Sequence, residues 1–172
     1  MTHVLIVDDQ ALNRILLEKM LLEENYKISI AFNGLEALEV LEKEAIDIVL
    51  LDVLMPVMDG FEAAKLIKQR YNDVYLPIIF ITSLEDQSSF ERCLEVGGDD
   101  FIQKPFEKVI LNAKIKAHSR TRELSKKAYQ QNTLLEYHRN QIEREHEIIE
   151  HIFNNSLENQ DKFKDHLDFS LS

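Results

Sequence analysis

Over roughly the first 100 positions, short aliphatic runs alternate with segments whose apolar residues recur at helical spacing. The runs Val4–Val7, Tyr26–Ala31, Ile46–Leu51, Ile78–Ile81 and Asp100–Ile102 predict five strands. Between them, Leu12/Ile15/Leu16/Met20, Leu35/Leu38/Leu41, Phe61/Ala64/Ile67/Tyr71 and Phe90/Cys93/Leu94/Gly97 each mark one face of a helix. Strands separated by helical crossovers must run parallel, with right-handed connections and helices on both sheet faces. The first, third and fourth strands are unbroken apolar runs and belong in the sheet centre. The second alternates, Tyr26, Ile28 and Ile30 against Lys27 and Ser29, and suits an edge. The expected fold class is α/β, a doubly wound five-stranded parallel sheet.

The pattern changes after Pro105. All four glycines and all three prolines precede residue 106, so turn punctuation stops and one long helical pattern begins. A heptad register places Thr121, Ala128, Leu135, Ile142, Ile149 and Ser156 in one row and Ala117, Leu124, Gln131, His138, Glu145 and Ile152 in the other. This seam predicts a C-terminal coiled-coil helix, pairing in parallel with a second copy; an amphipathic linker helix is the competing reading. A helix from Val109 to Phe153 would be about 68 Å long, and Asn154-Asn155-Ser156 is expected to end it. The domain division is therefore 1–120 for the α/β unit, 121–156 for the coiled-coil helix continuous with the fifth helix, and 157–172 for a linker or the start of a further domain. Residues His166 to Ser172 alternate polar and apolar as a half-buried strand does, which suggests a chain that continues beyond Ser172; a disordered tail is the alternative.

Composition narrows the class. The chain has 172 residues, 45% hydrophobic and 30% charged, and no apolar run approaches the ~20 residues of a membrane span. The first residues lack a basic segment, and Asp8-Asp9 interrupts the apolar stretch where a signal peptide would continue. The single cysteine, Cys93, rules out an internal disulfide framework. Together these place the protein in the cytoplasm with no membrane partner. A net charge of −11, with 13 Lys/Arg against 21 Asp/Glu before residue 121 and 7 against 10 after it, leaves no basic half for direct nucleic-acid binding.

In an open parallel sheet, ligands bind beyond the carboxyl ends of the strands. The residues standing there are Asp8-Asp9 after strand one, Asp52 after strand three, Thr82-Ser83 after strand four and Lys104-Pro105 after strand five. Three carboxylates that converge repel one another unless a divalent cation lies between them, and hard oxygen ligands with room for water favour Mg²⁺. Asp8 and Asp9 are read as metal ligands. A carboxylate beside the metal, with an ammonium and a hydroxyl close by, is equipped to accept a phosphoryl group, which makes Asp52 the nucleophile candidate.

These residues and their spacing resemble the receiver domain of bacterial two-component response regulators, of the chemotaxis type, over roughly residues 1–120. Val7-Asp8-Asp9 resembles the acidic pair of that family, Leu51 to Gly60 its phosphoacceptor loop, Ile81-Thr82-Ser83 its switch hydroxyl, and Asp99 to Pro105 its terminal lysine motif. The resemblance implies a flavodoxin-like strand order 2-1-3-4-5. It also implies that a sensor histidine kinase or phosphotransfer protein phosphorylates Asp52. Mg²⁺ would be held by Asp8, Asp9, Asp52 and the Leu54 backbone carbonyl, with Thr82 and Lys104 on the phosphoryl group and Phe101 as an aromatic switch. Lys104-Pro105 is a candidate cis peptide. Gly98 and Leu54 depart from the commonest family pattern.

Some features have plainer readings. Asp59-Gly60 is taken as a helix N-cap and a tight turn, and Cys93 as core. His118, His138, His146, His151 and His166 do not form an i, i+4 metal pair, and no ATP-binding domain follows to support a kinase helix. The expected function is a phosphorelay switch acting through a coiled-coil homodimer on an output domain. The end of the chain weakly resembles response regulators that end in a metal-dependent serine/threonine phosphatase. A stand-alone coiled-coil adaptor with a receiver docking head is the alternative. The α/β unit itself catalyses only its own phosphorylation and dephosphorylation on this reading. A haloacid-dehalogenase phosphatase is disfavoured by Leu54, which stands where a second aspartate is needed, and a flavodoxin by Asp8-Asp9 where a phosphate loop belongs.

Overall fold

A computed structural model describes residues 1–83 and 87–170. The elements are β1 (His3–Val7), α1 (Ala11–Leu22), β2 (Lys27–Ala31), α2 (Gly34–Lys43), β3 (Ile48–Asp52), α3 (Gly60–Arg70), β4 (Ile78–Thr82), α4 (Gln87–Glu95), β5 (Asp100–Gln103) and α5 (Lys108–Ser170). All four strand pairings are parallel and the order is β2-β1-β3-β4-β5, the flavodoxin-like arrangement. The alternating β2 is an edge strand, while β1, β3 and β4 are buried along their full lengths.

Alternation along each central strand sends side chains to two cores. Leu5, Val7, Val49, Leu51 and Phe80 pack with Leu38, Phe61, Ala64 and Ile67 from α2 and α3 and with Cys93 from α4. Val4, Ile6, Leu50, Ile79 and Ile81 pack on the other side with Leu17 and Leu21 of α1 and Leu111 and Ile115 of α5. The face of α1 differs from the expected one: Leu12, Ile15 and Leu16 are exposed, and the helix docks through Leu17 and Leu21. Apolar residues occupy eight of the twelve positions in this helix, counting Ala11, so more than one helical register fits its sequence. Burial follows the register that also brings Met20 against the sheet.

Local chemistry sets the helix starts near the sheet's carboxyl edge. Asn33 and Asp59 each accept a hydrogen bond from the backbone N–H three residues on, Glu36 at 3.0 Å and Glu62 at 2.8 Å. Gly60 lies so close to the preceding strand that a Cβ there would stand 2.2 Å from the Asp52 carbonyl oxygen. Gly98 is confined in the same way, since a Cβ would meet the Phe80 ring at 2.5 Å and the Cys93 carbonyl at 2.6 Å. That crowding accounts for glycine at this position.

The chain divides into two compact units, Met1–Lys127 and Ala128–Ser172. In the second, α5 runs straight through Asn154-Asn155-Ser156, where an end was expected, and on to Ser170. Asn and Ser lower helix propensity by only a few tenths of a kcal/mol to about 0.7 kcal/mol each, and without Gly or Pro nothing forces a stop. The strand-like alternation of the last residues is likewise helical through Ser170; Leu171 and Ser172 lie outside the described residues. Every residue from 128 to 170 is exposed. Among the described residues no helix is long and apolar enough to cross a membrane.

Candidate functional site

The carboxyl ends of β1 and β3 bring three acidic side chains together. Carboxylate oxygens of Asp8, Asp9 and Asp52 all lie within 4.8 Å of one another. Asp8 and Asp52 are buried, and Asp9 is exposed at the mouth of the cluster. Asp8 is held by the Gln10 backbone N–H, which donates to its Oδ1 at 2.8 Å, and by the Asn13 amide at 3.3 Å. Asp52 accepts from the Val53 N–H at 2.8 Å. Gly60 N–H donates to the Val53 carbonyl at 2.8 Å, tying the start of α3 to the residue after Asp52.

A cation belongs to the cluster as well. Lys104 Nζ stands 3.1 Å from Asp8 Oδ2 and 3.3 Å from Asp52 Oδ2. The three carboxylates are therefore partly neutralised by the protein, through the lysine that the strand-end reading placed at this edge. Burial pushes the Asp52 carboxyl up to about 6; Lys104 opposes that rise and the neighbouring Asp8 adds to it. Three acids against one ammonium leave an excess of negative charge within reach of solvent at Asp9. Such a set of hard oxygen donors fits a divalent cation that keeps part of its water shell.

The remaining predicted residues fall around this centre. Asp52 pairs across the sheet with Ile81, so Thr82 ends β4 one residue further on, and its side chain is buried. The Lys104 backbone N–H donates to the Thr82 carbonyl at 2.8 Å, which holds the β5 end against the β4 end. The Lys104-Pro105 peptide is cis, as the motif led us to expect. Leu54 is 61% exposed beside the acidic cluster in sequence, and Val57, three residues later, has a left-handed backbone with φ of 68°. Phe101 is not in the carboxylate cluster: it lies mid-strand in β5 and stacks on Phe90 of α4, with centroids 4.4 Å apart and planes at 22°. Gln10 and Asn13, which position Asp8, were missed in the sequence because Gln10 acts through its backbone N–H, which has no side-chain signature, and Asn13 is an ordinary residue in the first turn of α1.

The pattern of the response regulator receiver domain family matches residues 4–116. The chain is 38% identical over 118 residues to "Response regulator PleD" of Caulobacter vibrioides, spanning 69% of this chain and 26% of that protein. It is 39% identical over 115 residues to "Probable transcriptional regulator ycf27" of Cyanidium caldarium, spanning 67% of this chain and 45% of that protein. The chain thus spans less than half the length of these two relatives. Among solved structures, the receiver domain of the sensor histidine kinase PA1611 from Pseudomonas aeruginosa, which has a magnesium ion coordinated in its active-site cleft, superposes with a TM-score of 0.64 at 30% identity, covering 69% of this chain and 97% of that one. The matched span holds all of the five-stranded sheet except His3, together with each of the acidic, hydroxyl and lysine positions at its carboxyl edge, and the chain belongs to the response regulator receiver domain family.

Proposed function

We propose that Asp52 is the phosphoacceptor of a two-component phosphorelay and that its phosphorylation switches the C-terminal helix. The observation that carries this reading is the convergence of buried Asp52 with Asp8, Asp9 and Lys104 at the sheet's carboxyl edge. A carboxylate oxygen of Asp52 attacks the phosphorus of a phosphohistidine on a sensor kinase or phosphotransfer protein. The O–P bond forms as the N–P bond breaks, and the imidazole leaves with the electron pair and takes up a proton. Lys104 neutralises charge on the transferring oxygens, and the Thr82 hydroxyl donates a hydrogen bond to one of them. Asp8, Asp9, Asp52 and the Leu54 carbonyl would hold Mg²⁺, which supplies further charge stabilisation. The magnesium-bearing receiver of PA1611 supports that assignment by likeness. Phe101, stacked on Phe90, is the aromatic switch in this reading.

On this reading residues 1–120 are the receiver, 121–156 the coiled-coil part of α5 continuous with its start, and 157–172 a linker or the start of an output domain. Support for a homodimer comes from the exposed apolar rows that include Leu124, Leu135, Ile142, Ile149 and Ile152. A metal-dependent serine/threonine phosphatase is the output class considered first, and a free-standing adaptor is the alternative. The reading sets the protein in the cytoplasm, where phosphodonor and Mg²⁺ are supplied.

The test is the intact mass of the wild-type chain and Asp52→Asn with Mg²⁺ and acetyl phosphate. Wild type should gain the mass of one phosphoryl group and the variant none. An adduct of equal yield on Asp52→Asn would move the acceptor elsewhere. A change in self-association of wild type with beryllofluoride, absent in the variant, would tie the acceptor to the helix.

A further inference from the structure

Beyond Ile115, α5 buries no further apolar residue, yet it stays fastened to the receiver for several more turns. The fastenings are polar and lie along one side: His118, Arg122, Ser125 and Lys126, continuing the row that Lys114 begins just before Ile115. Arg122 donates to the carbonyls of Tyr75 at 2.7 Å and Ile46 at 3.0 Å, just before β4 and β3 begin. Lys126 pairs with Asp47, and the Ser125 hydroxyl accepts from the Tyr75 N–H at 2.9 Å.

One chain in this set reaches back toward the switch. Asp100, the first residue of β5, accepts from the backbone N–H of Phe101 at 2.8 Å and from Lys114 Nζ at 2.6 Å through Oδ1. Its Oδ2 lies 3.1 Å from His118 Nε2, and His118 Nδ1 lies 2.8 Å from the Tyr75 hydroxyl. A carboxylate can only accept, so Nε2–H donates to Asp100, and the other ring nitrogen is left to the Tyr75 hydroxyl. Burial, and then the charge of the Asp99 carboxylate and a hydrogen bond to it, push the Tyr75 phenol up to about 12.

We propose that Asp100, His118 and Tyr75 form a latch that couples the Phe101 end of β5 to the root of α5. Hydrogen bonds weaken steeply with a small change of distance or angle, whereas an apolar contact slides. A shift of β5 at Phe101 therefore loosens or tightens the grip on His118 before it disturbs the Leu111–Ile115 packing. The inference rests on Asp52 phosphorylation as its input; Tyr75 and His118 are positioning residues and touch no reacting group.

The full chain tests it in four forms: wild type, Tyr75→Phe, His118→Ala and His118→Gln. Each is measured for adduct formation with acetyl phosphate, and for amide hydrogen exchange over residues 114–126 with and without Mg²⁺ plus beryllofluoride. In wild type, beryllofluoride should change exchange in this segment by about fivefold or more. Tyr75→Phe and His118→Ala should keep adduct formation within about twofold while losing most of that response, and His118→Gln, with a donor and an acceptor at similar reach, should restore part of it. If the response is equal in all four forms, or absent in wild type that takes the adduct, the latch is wrong and the acceptor stands. If wild type takes no adduct, the acceptor reading falls and the latch with it.

Discussion

The two units of the chain are stabilised in opposite ways. Within Met1–Lys127, each central strand is covered on both faces and side chains as large as Phe80, Leu50 and Ile67 are fully or almost fully buried. Within Ala128–Ser172, Leu134, Leu135, Ile142, Ile149 and Phe163 are between 57% and 69% exposed. A helix with no tertiary contact on its apolar side depends on propensity and i, i+4 pairs such as Arg139–Glu143, each worth a few tenths of a kcal/mol. The receiver carries its own core, and on the coiled-coil proposal the second unit would gain one through a second copy. A change in either unit should therefore register in a different measurement.

The largest contrast is in truncation of leucines. Leu50→Ala removes a side chain 1% exposed in the centre of β3 and should cost the receiver about 2–5 kcal/mol in urea unfolding. Leu135→Ala, at a site 66% exposed, should leave that transition within about 0.5 kcal/mol. Its effect should appear instead as weaker self-association in sedimentation. Equal losses of receiver stability from both variants would erase the distinction between the units.

A smaller effect separates the functional edge of the receiver from its core. The Asp52 carboxyl has its proton affinity raised from 3.8 to about 6, chiefly by burial. The folded chain then binds more protons than the unfolded one between those values, so stability falls as pH rises through that window and the penalty is complete above it. The shift corresponds to at most about 3 kcal/mol. Asp52→Asn should flatten the profile between pH 4 and pH 6 and raise Tm at pH 7 without metal. Mg²⁺ should raise wild-type Tm above pH 6, lose that effect below it as Asp52 is protonated, and do little for the variant. A wild-type profile as flat as that of the variant would mean that Lys104 compensates Asp52 fully.

Residues that act through position along the chain were legible from the sequence, and those that act through long-range polar contact were not. Strand-end placement put Asp8, Asp9, Asp52, Thr82 and Lys104 at one edge because a parallel sheet delivers all its carboxyl ends together. The edge position of β2 followed from its alternation. The α1 face was missed because its apolar residues satisfy more than one register, and only the shape of the sheet surface selects Leu17 and Leu21. Arg122 and Ile46, or His118 and Tyr75, are far apart in sequence and ordinary in type, so no local pattern announces their contacts. The continuation of α5 past Asn154 shows the reverse weakness, a local stop signal too small to act alone.

The smallest expected effect lies in the loop that leads from Asp52 to α3. Val57 is β-branched, 78% exposed and held at a φ of 68°, a region where L side chains with a branched Cβ are strained. Val57→Gly should relieve about 1–2 kcal/mol of that strain, against about 0.5–1 kcal/mol for the greater freedom of glycine in the unfolded chain. The net gain of about 1 kcal/mol should raise Tm by a few degrees. Because the strained residue follows Asp52 within the same loop, relaxing it should also loosen the backbone beside the acceptor and slow adduct formation with acetyl phosphate. A variant that is more stable and equally fast would show the strain to be local to Val57. One that is less stable would show that the Val57 side chain itself, despite its exposure, holds the loop in place.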